Sequence, residues 1–216
     1  MSVRVWAALL LAAFGFQAWG LDYDIRKVTN AAGHTLNVVR MVGVMDAQEA
    51  LRWMGETSEI DSTLDTLFVI DSPGGNVPMG IFTIKKVDEY LTQEAQNKRK
   101  TWVAIEGECA SMCLPLFYAW PNRFAVADAK FGLHSPSDGY FGSDADLAKL
   151  YLDNMRAHGQ ARGETSALSW IDQMVRQGEF STPTVTFHSA QDVANAGGIV
   201  PAAGIVSSID QLIQQL

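Results

Sequence analysis

The sequence predicts an α/β domain built on a largely parallel sheet. Short apolar runs alternate with longer amphipathic segments along most of the chain, the pattern of strands joined by crossover helices. Within it, Leu67–Ile70 is unbroken apolar sequence, as expected of a strand buried on both faces.

The elements follow in order. Residues 21–37 are read as a polar lead-in to one domain over 38–216, with His34 exposed and idle in a Gly-His turn. Thr35–Met45, rich in Val and Met, reads as a strand or hairpin, and the acids of Asp46–Glu49 open a helix reaching about Met54. After the Leu67–Ile70 strand and the turn Ser72-Pro73-Gly74-Gly75, a helix over Met79–Ala95 places Ile81, Ile84 and Leu91 near one face. Thr101–Ile105 is the next strand. Ser111–Tyr118 is a buried helix with Pro115 near its first turn, where proline is tolerated. Phe124–Ala127 and Lys130–His134 are short strands. Ser143 with Asp146 caps a helix to Ala157, Ala167–Gln177 forms another stopped by Gly178, and Ser189 with Asp192 caps a short one ending at Gly197-Gly198. Ile199-Val200 and Ile205-Val206 read as terminal strands.

Residues 1–20 have the form of a secretory leader. Arg4 precedes the apolar run Val5–Phe16, and Ala18 and Gly20 stand at the −3 and −1 positions of a cleavage site. An uncleaved N-terminal anchor is the alternative. Losing Arg4 with the leader takes the net charge from −8 to −9, and a chain this acidic lacks the footprint of nucleic-acid or anionic-membrane binding. The two cysteines, Cys109 and Cys113, are four apart. An oxidising compartment favours pairing, whereas a regular helix would hold them too far apart, so a bond requires an irregular turn; two small buried thiols are the alternative.

Three motifs carry chemistry. Gly107-Glu108-Cys109-Ala110-Ser111-Met112-Cys113 places a serine between an apolar strand and a buried helix, Phe131-Gly132-Leu133-His134-Ser135-Pro136 follows, and Asp71-Ser72-Pro73-Gly74-Gly75 precedes. A serine hydroxyl needs a base and donors for the oxyanion. His134 suits the base, and the backbone N–H groups of Gly75 and Met112 are the candidate oxyanion donors. The competing reading of Ser111 is a helix N-cap, and that of His134 a hydrogen-bonded strand histidine. Asp71 is expected to fix its loop. Neither His158 nor His188 forms a zinc pattern with Cys109 or Cys113, and His188 has no acid at metal spacing, so no metal site is expected; no cofactor is called for either.

At these residues the chain resembles the superfamily of Clp protease proteolytic subunits and crotonase-like proteins, and more narrowly the secreted Clp-peptidase-like proteins of bacteria. The motifs fall in the family's order: Phe68–Gly75, Cys109–Met112, Pro121-Asn122-Arg123-Phe124, Gly132–Pro136 and Ser189–Gly197. The resemblance spans about residues 38–206. It implies a domain of repeated strand–strand–helix units, Ser111 and His134 as catalytic residues, a peptide or protein substrate, a periplasmic location without an ATP-dependent unfoldase, and a homo-oligomer. The family's assembly helix would be Asp144–His158, offering Leu147, Tyr151 and Met155. One departure stands out: the position of the family's third catalytic residue, an aspartate, falls on Val185. Completion by Glu179 or Asp172, or orientation of His134 by a threonine hydroxyl or a backbone carbonyl, would have to replace it. A serine–lysine dyad would draw on Lys130 or Lys149. The rival to a hydrolase is a non-catalytic binding or assembly module; an acyl-thioester enzyme is a weaker third reading.

Overall fold

The computed structural model describes residues 20–135 and 145–216. The predicted leader, save Gly20, and the cap at Ser143 lie outside the described residues. Eight strands form one sheet: β1 (Leu21–Thr29), β2 (Thr35–Met45), β3 (Asp65–Gly75), β4 (Thr101–Ala110), β5 (Arg123–Val126), β6 (Lys130–Leu133), β7 (Thr186–Ser189) and β8 (Ile205–Val206). The helices are α1 (Glu49–Thr57), α2 (Val77–Gln96), α3 (Cys113–Ala119), α4 (Ala145–Arg162), α5 (Thr165–Arg176), α6 (Ala190–Asn195) and α7 (Ile209–Gln215).

The chain is α/β as expected, but the sheet is mixed. The pairs β2–β3, β3–β4, β4–β5, β4–β6 and β5–β8 are parallel, whereas β1–β2 and β6–β7 are antiparallel. The segment read as a polar lead-in supplies β1 and the start of β2. Its Leu21, Tyr23 and Ile25 alternate with charged residues, and this edge strand runs beside β2 from Leu21–Gly43 to Thr29–Thr35. Strand β4 forks: Val103–Ile105 pairs with β5, while Glu108–Ala110 pairs with β6. The fork carries the end of β4 away from the main sheet and toward the strand that leads to His134.

The two faces of β3 are both buried, as its apolar run predicts. Phe68 and Ile70 enter one core with Trp53 and Trp120, the Phe68 and Trp120 rings 4.6 Å apart, while Leu67 and Val69 enter a second core covered by Ile209, Leu212 and Ile213 of α7. Each such side chain removed from water is worth about 1.5–3 kcal/mol. Ser189 caps α6 as predicted, its Oγ accepting from the Asp192 N–H, and Asn76 caps α2 in the same way through Met79.

Some expectations need correction. Ile199-Val200 is buried but forms no strand, and the chain instead places β7 before it and α7 after it. Tyr151 and Met155, read as an oligomer face, are buried within the chain itself, and Leu150 is the large apolar side chain α4 leaves exposed. His34 is not idle: its Nδ1–H donates to the Leu216 carbonyl, and Nε2 lies 3.5 Å from Asp65. His188 lies in β7 and pairs with Glu179 at 2.7 Å. Among the described residues no helix is long and apolar enough to cross a membrane.

Arg123 ties the sheet to the helical segments around it, and His158 ties α4 to α2. The buried guanidinium of Arg123 donates to the Trp120 and Ile199 carbonyls and to both oxygens of Glu164. His158 in α4 donates through Nδ1 to the Asn154 carbonyl and through Nε2 to Asp88 of α2 at 3.1 Å. Burial lowers its pKa, but the Asp88 and Asn154 bonds raise it by more, so the net shift is upward from 6.5. A raised folded-state pKa stabilises fully below the unfolded value and is lost as pH rises through the folded one. Because Asp88 is half exposed, the effect is small. Stability in urea is expected to fall by roughly 0.5 kcal/mol from this pair as pH rises from about 6 into the alkaline range, and Asp88→Asn to remove that component.

Candidate active site

Ser111 occupies the turn from β4 to α3 in a conformation that side-chain-bearing residues rarely adopt, with φ +51°. Three hydrogen bonds hold it there. Its N–H donates to the Gly132 carbonyl of β6 at 3.0 Å, and its own carbonyl accepts from Leu114 N–H and from the buried Tyr151 hydroxyl, each at 3.0 Å. Burial drives the Tyr151 pKa well above the ordinary phenol value, so this hydroxyl keeps its proton and donates. Such strain persists only where surrounding contacts over-determine it.

The turn also explains the cysteines. Cys109 ends up across from Cys113 with Cα atoms 5.2 Å apart, and the two form a disulfide that brackets Ser111. The irregular geometry that pairing requires is supplied by Ser111 itself.

The N-cap reading of Ser111 fails. Met112 is the N-cap of α3, and no side-chain hydrogen bond caps that helix. Ser111 is 9% exposed, and its hydroxyl bonds to nothing among the described residues. The Met112 N–H likewise has no acceptor among the described residues. A hydroxyl without a structural task beside an N–H without an acceptor is an arrangement suited to nucleophilic attack on a carbonyl.

Register brings His134 to the same place. Ala110 pairs with Gly132 in parallel β4 and β6, so Ser111 and His134 leave adjacent strand ends on the same rim of the sheet. The two do not hydrogen-bond to each other in this structure. His134 Nδ1 contacts the Ser135 carbonyl at 2.7 Å; a carbonyl only accepts, so Nδ1 donates, and in the neutral ring the lone pair is then on Nε2. A backbone carbonyl thus orients the ring.

Neither Glu179 nor Asp172 takes the place of a third residue. Glu179 is engaged by His188, and Asp172 by Arg156 at 2.9 Å. The antiparallel pair Leu133–Thr186 places Val185 opposite His134, where it is 37% exposed and apolar. Neither lysine forms a dyad: Lys149 pairs with Asp153 on the exposed face of α4, and Lys130 is exposed at the start of β6, level with Glu108.

The glycine turn divides its work. Gly74, at φ +94°, is the residue against the nucleophile: a Cβ there would lie 2.6 Å from Ser111 Cβ and 2.7 Å from Met112 N. A Cβ on Gly75 would instead strike the Met45 carbonyl at 2.0 Å, so Gly75 faces β2. The Gly74 contact and the Tyr151 clamp leave no mark in sequence beyond a glycine pair and a helical tyrosine. Asp71 fixes its loop as expected, its Oδ1 accepting from Glu108 N–H at 2.8 Å where β4 bulges against β3.

Gly74→Ala is expected to destabilise the fold by about 3 kcal/mol or more, since backbone atoms block the methyl group and φ is unfavourable. Gly33→Ala, also at positive φ but facing open space, is the control and should cost only about 1 kcal/mol. Equal losses in denaturant melts would show that the contact with Ser111 imposes no constraint.

No family model matches the chain, and no curated protein matches it, so the chemistry of the site rests on its own geometry.

Proposed function

We propose that the protein is an exported serine hydrolase, acting on peptide or protein substrates through Ser111 and His134. The observation that carries this reading is the state of Ser111: a strained backbone held from three sides around a hydroxyl with no structural partner among the described residues. In the reaction His134 Nε2 takes the Ser111 proton as Oγ bonds to the acyl carbon. The oxyanion accepts from Met112 N–H and, in our reading, from Gly75 N–H. Collapse breaks the acyl–nitrogen bond, with the His134 proton going to the leaving amine. Water then attacks the acyl-enzyme, giving its proton to His134, which returns it to Ser111.

The finer fold assignment, a Clp-peptidase-like or crotonase-like domain, belongs to the same proposal. The order of the Gly74, Ser111 and His134 motifs on β3, β4 and β6 supports it, as does the forked β4. Export, with the leader removed after Gly20 into a periplasm-like compartment, is supported by the leader's form and by the disulfide. Val185 opposite His134 favours the second reading, a non-catalytic module that keeps the fold for binding. With a carbonyl as its only partner among the described residues, the imidazolium gains less than a carboxylate would give it.

A fluorophosphonate probe with intact-mass detection tests the proposal on the mature protein. One adduct mapping to Ser111 and absent from Ser111→Ala is expected, with His134→Ala slowing its formation by at least about 100-fold. No adduct on folded wild type would turn the reading to the binding module.

A further inference from the structure

A second site lies at the start of β1. Glu49, in the first turn of α1, is 0% exposed, which is rare for a carboxylate unless it is paired. It accepts from the Tyr23 hydroxyl of β1, from Arg52 Nη1 at 2.8 Å, and from the backbone N–H of Leu21 at 3.4 Å. Arg52 is shared, its Nη2 also donating to Asp46 at 2.8 Å. Two acids thus divide one guanidinium, and the Leu21 bond is long for an amide donating to a carboxylate. Immediately before it, Gly20 at φ +119° lies where a Cβ would sit 2.1 Å from the Arg52 guanidinium. The residue that precedes Leu21 is therefore one whose backbone conformation favours glycine, and a side chain there would also have to displace the Arg52 head group.

We propose that Glu49 is the binding site for the α-ammonium group that cleavage after Gly20 creates on Leu21. This rests on the export and processing proposed above and is independent of the Ser111 chemistry. Cleavage replaces a neutral amide N–H with a cation carrying three donors, beside a buried carboxylate. It also removes Gly20, which frees the nitrogen to close a 3.4 Å gap to ion-pair distance. The Leu21 ammonium would then supply a further positive charge to the cluster of Asp46, Glu49 and Arg52. The location matters because Met45, just before Asp46, pairs with Gly75, and Asn76 N–H donates to the Met45 carbonyl at 2.8 Å. Removal of the leader would thereby complete an ion-pair cluster that abuts the strand supporting the glycine turn.

The test compares two chains released from a fusion partner by a protease that leaves no extra residue, one starting at Leu21 and one at Gly20. The Leu21 chain is expected to melt higher by about 5 °C, and Glu49→Gln to abolish the difference. A Gly20 chain that melts as high, or a difference that survives Glu49→Gln, overturns the proposal. If Glu49→Gln does not fold, trace acetylation of wild type decides: the Leu21 amine should react at least about ten-fold more slowly than that of a free peptide of the same sequence, and an equal rate overturns it. Intact mass of the exported precursor supplies the remaining arm. A product starting elsewhere than Leu21 removes both the cleavage reading and this proposal, while leaving the probe result at Ser111 untouched.

Discussion

The contact between Gly74 and Ser111 sets the geometry of everything around it. Two parallel strands, β3 and β4, end in turns that occupy almost the same space, so close that a single methyl group would overlap both Ser111 Cβ and Met112 N. One turn meets the constraint by having no side chain, the other by taking φ +51°. The positive φ lets the chain reverse from strand to helix within two residues. That reversal aligns Cys109 with Cys113 and leaves the Met112 N–H outside the helix bonding pattern.

The remaining structure serves to hold that crowded junction. The bulge at Asp71, where three residues of β4 stand against one of β3, lengthens β4 so that its end can reach β6. The β6 carbonyl of Gly132, the Tyr151 hydroxyl of α4 and the first turn of α3 each bind the Ser111 backbone from a different direction. No single bond of this kind contributes more than about 0.5–1.5 kcal/mol. Their convergence on one residue is what makes a rare conformation the only one available.

Much of this is legible in sequence, and the failures have physical causes. The serine turn, the glycine pair and the histidine strand can be read because each depends on local residue types: small residues, glycine, and apolar runs on either side. Strand β1 is harder, because Asp22, Asp24, Arg26 and Lys27 on an edge strand hide the alternation of Leu21, Tyr23 and Ile25. Strand β7 is four residues long with no apolar run, and it exists because β6 offers it an edge. The stripe of Tyr151 and Met155 shows the limit of periodicity. An apolar helix face announces burial but does not say against what, and here the chain buries that face in its own core. The orientation of His134 by a carbonyl is open to the same ambiguity, since any backbone oxygen can serve and none is marked.

The spacing of the disulfide gives it a character unlike that of most cross-links. Bonds that close long loops restrain the whole unfolded chain, whereas a four-residue separation closes almost none of it. Its reach is therefore local. It bears on how often the turn opens while the sheet stays folded, a fluctuation that amide exchange resolves segment by segment and a global melt averages away. Reduction of this bond would therefore bear first on the serine turn, where three hydrogen bonds would remain to hold Ser111, and only weakly on the sheet and cores behind it.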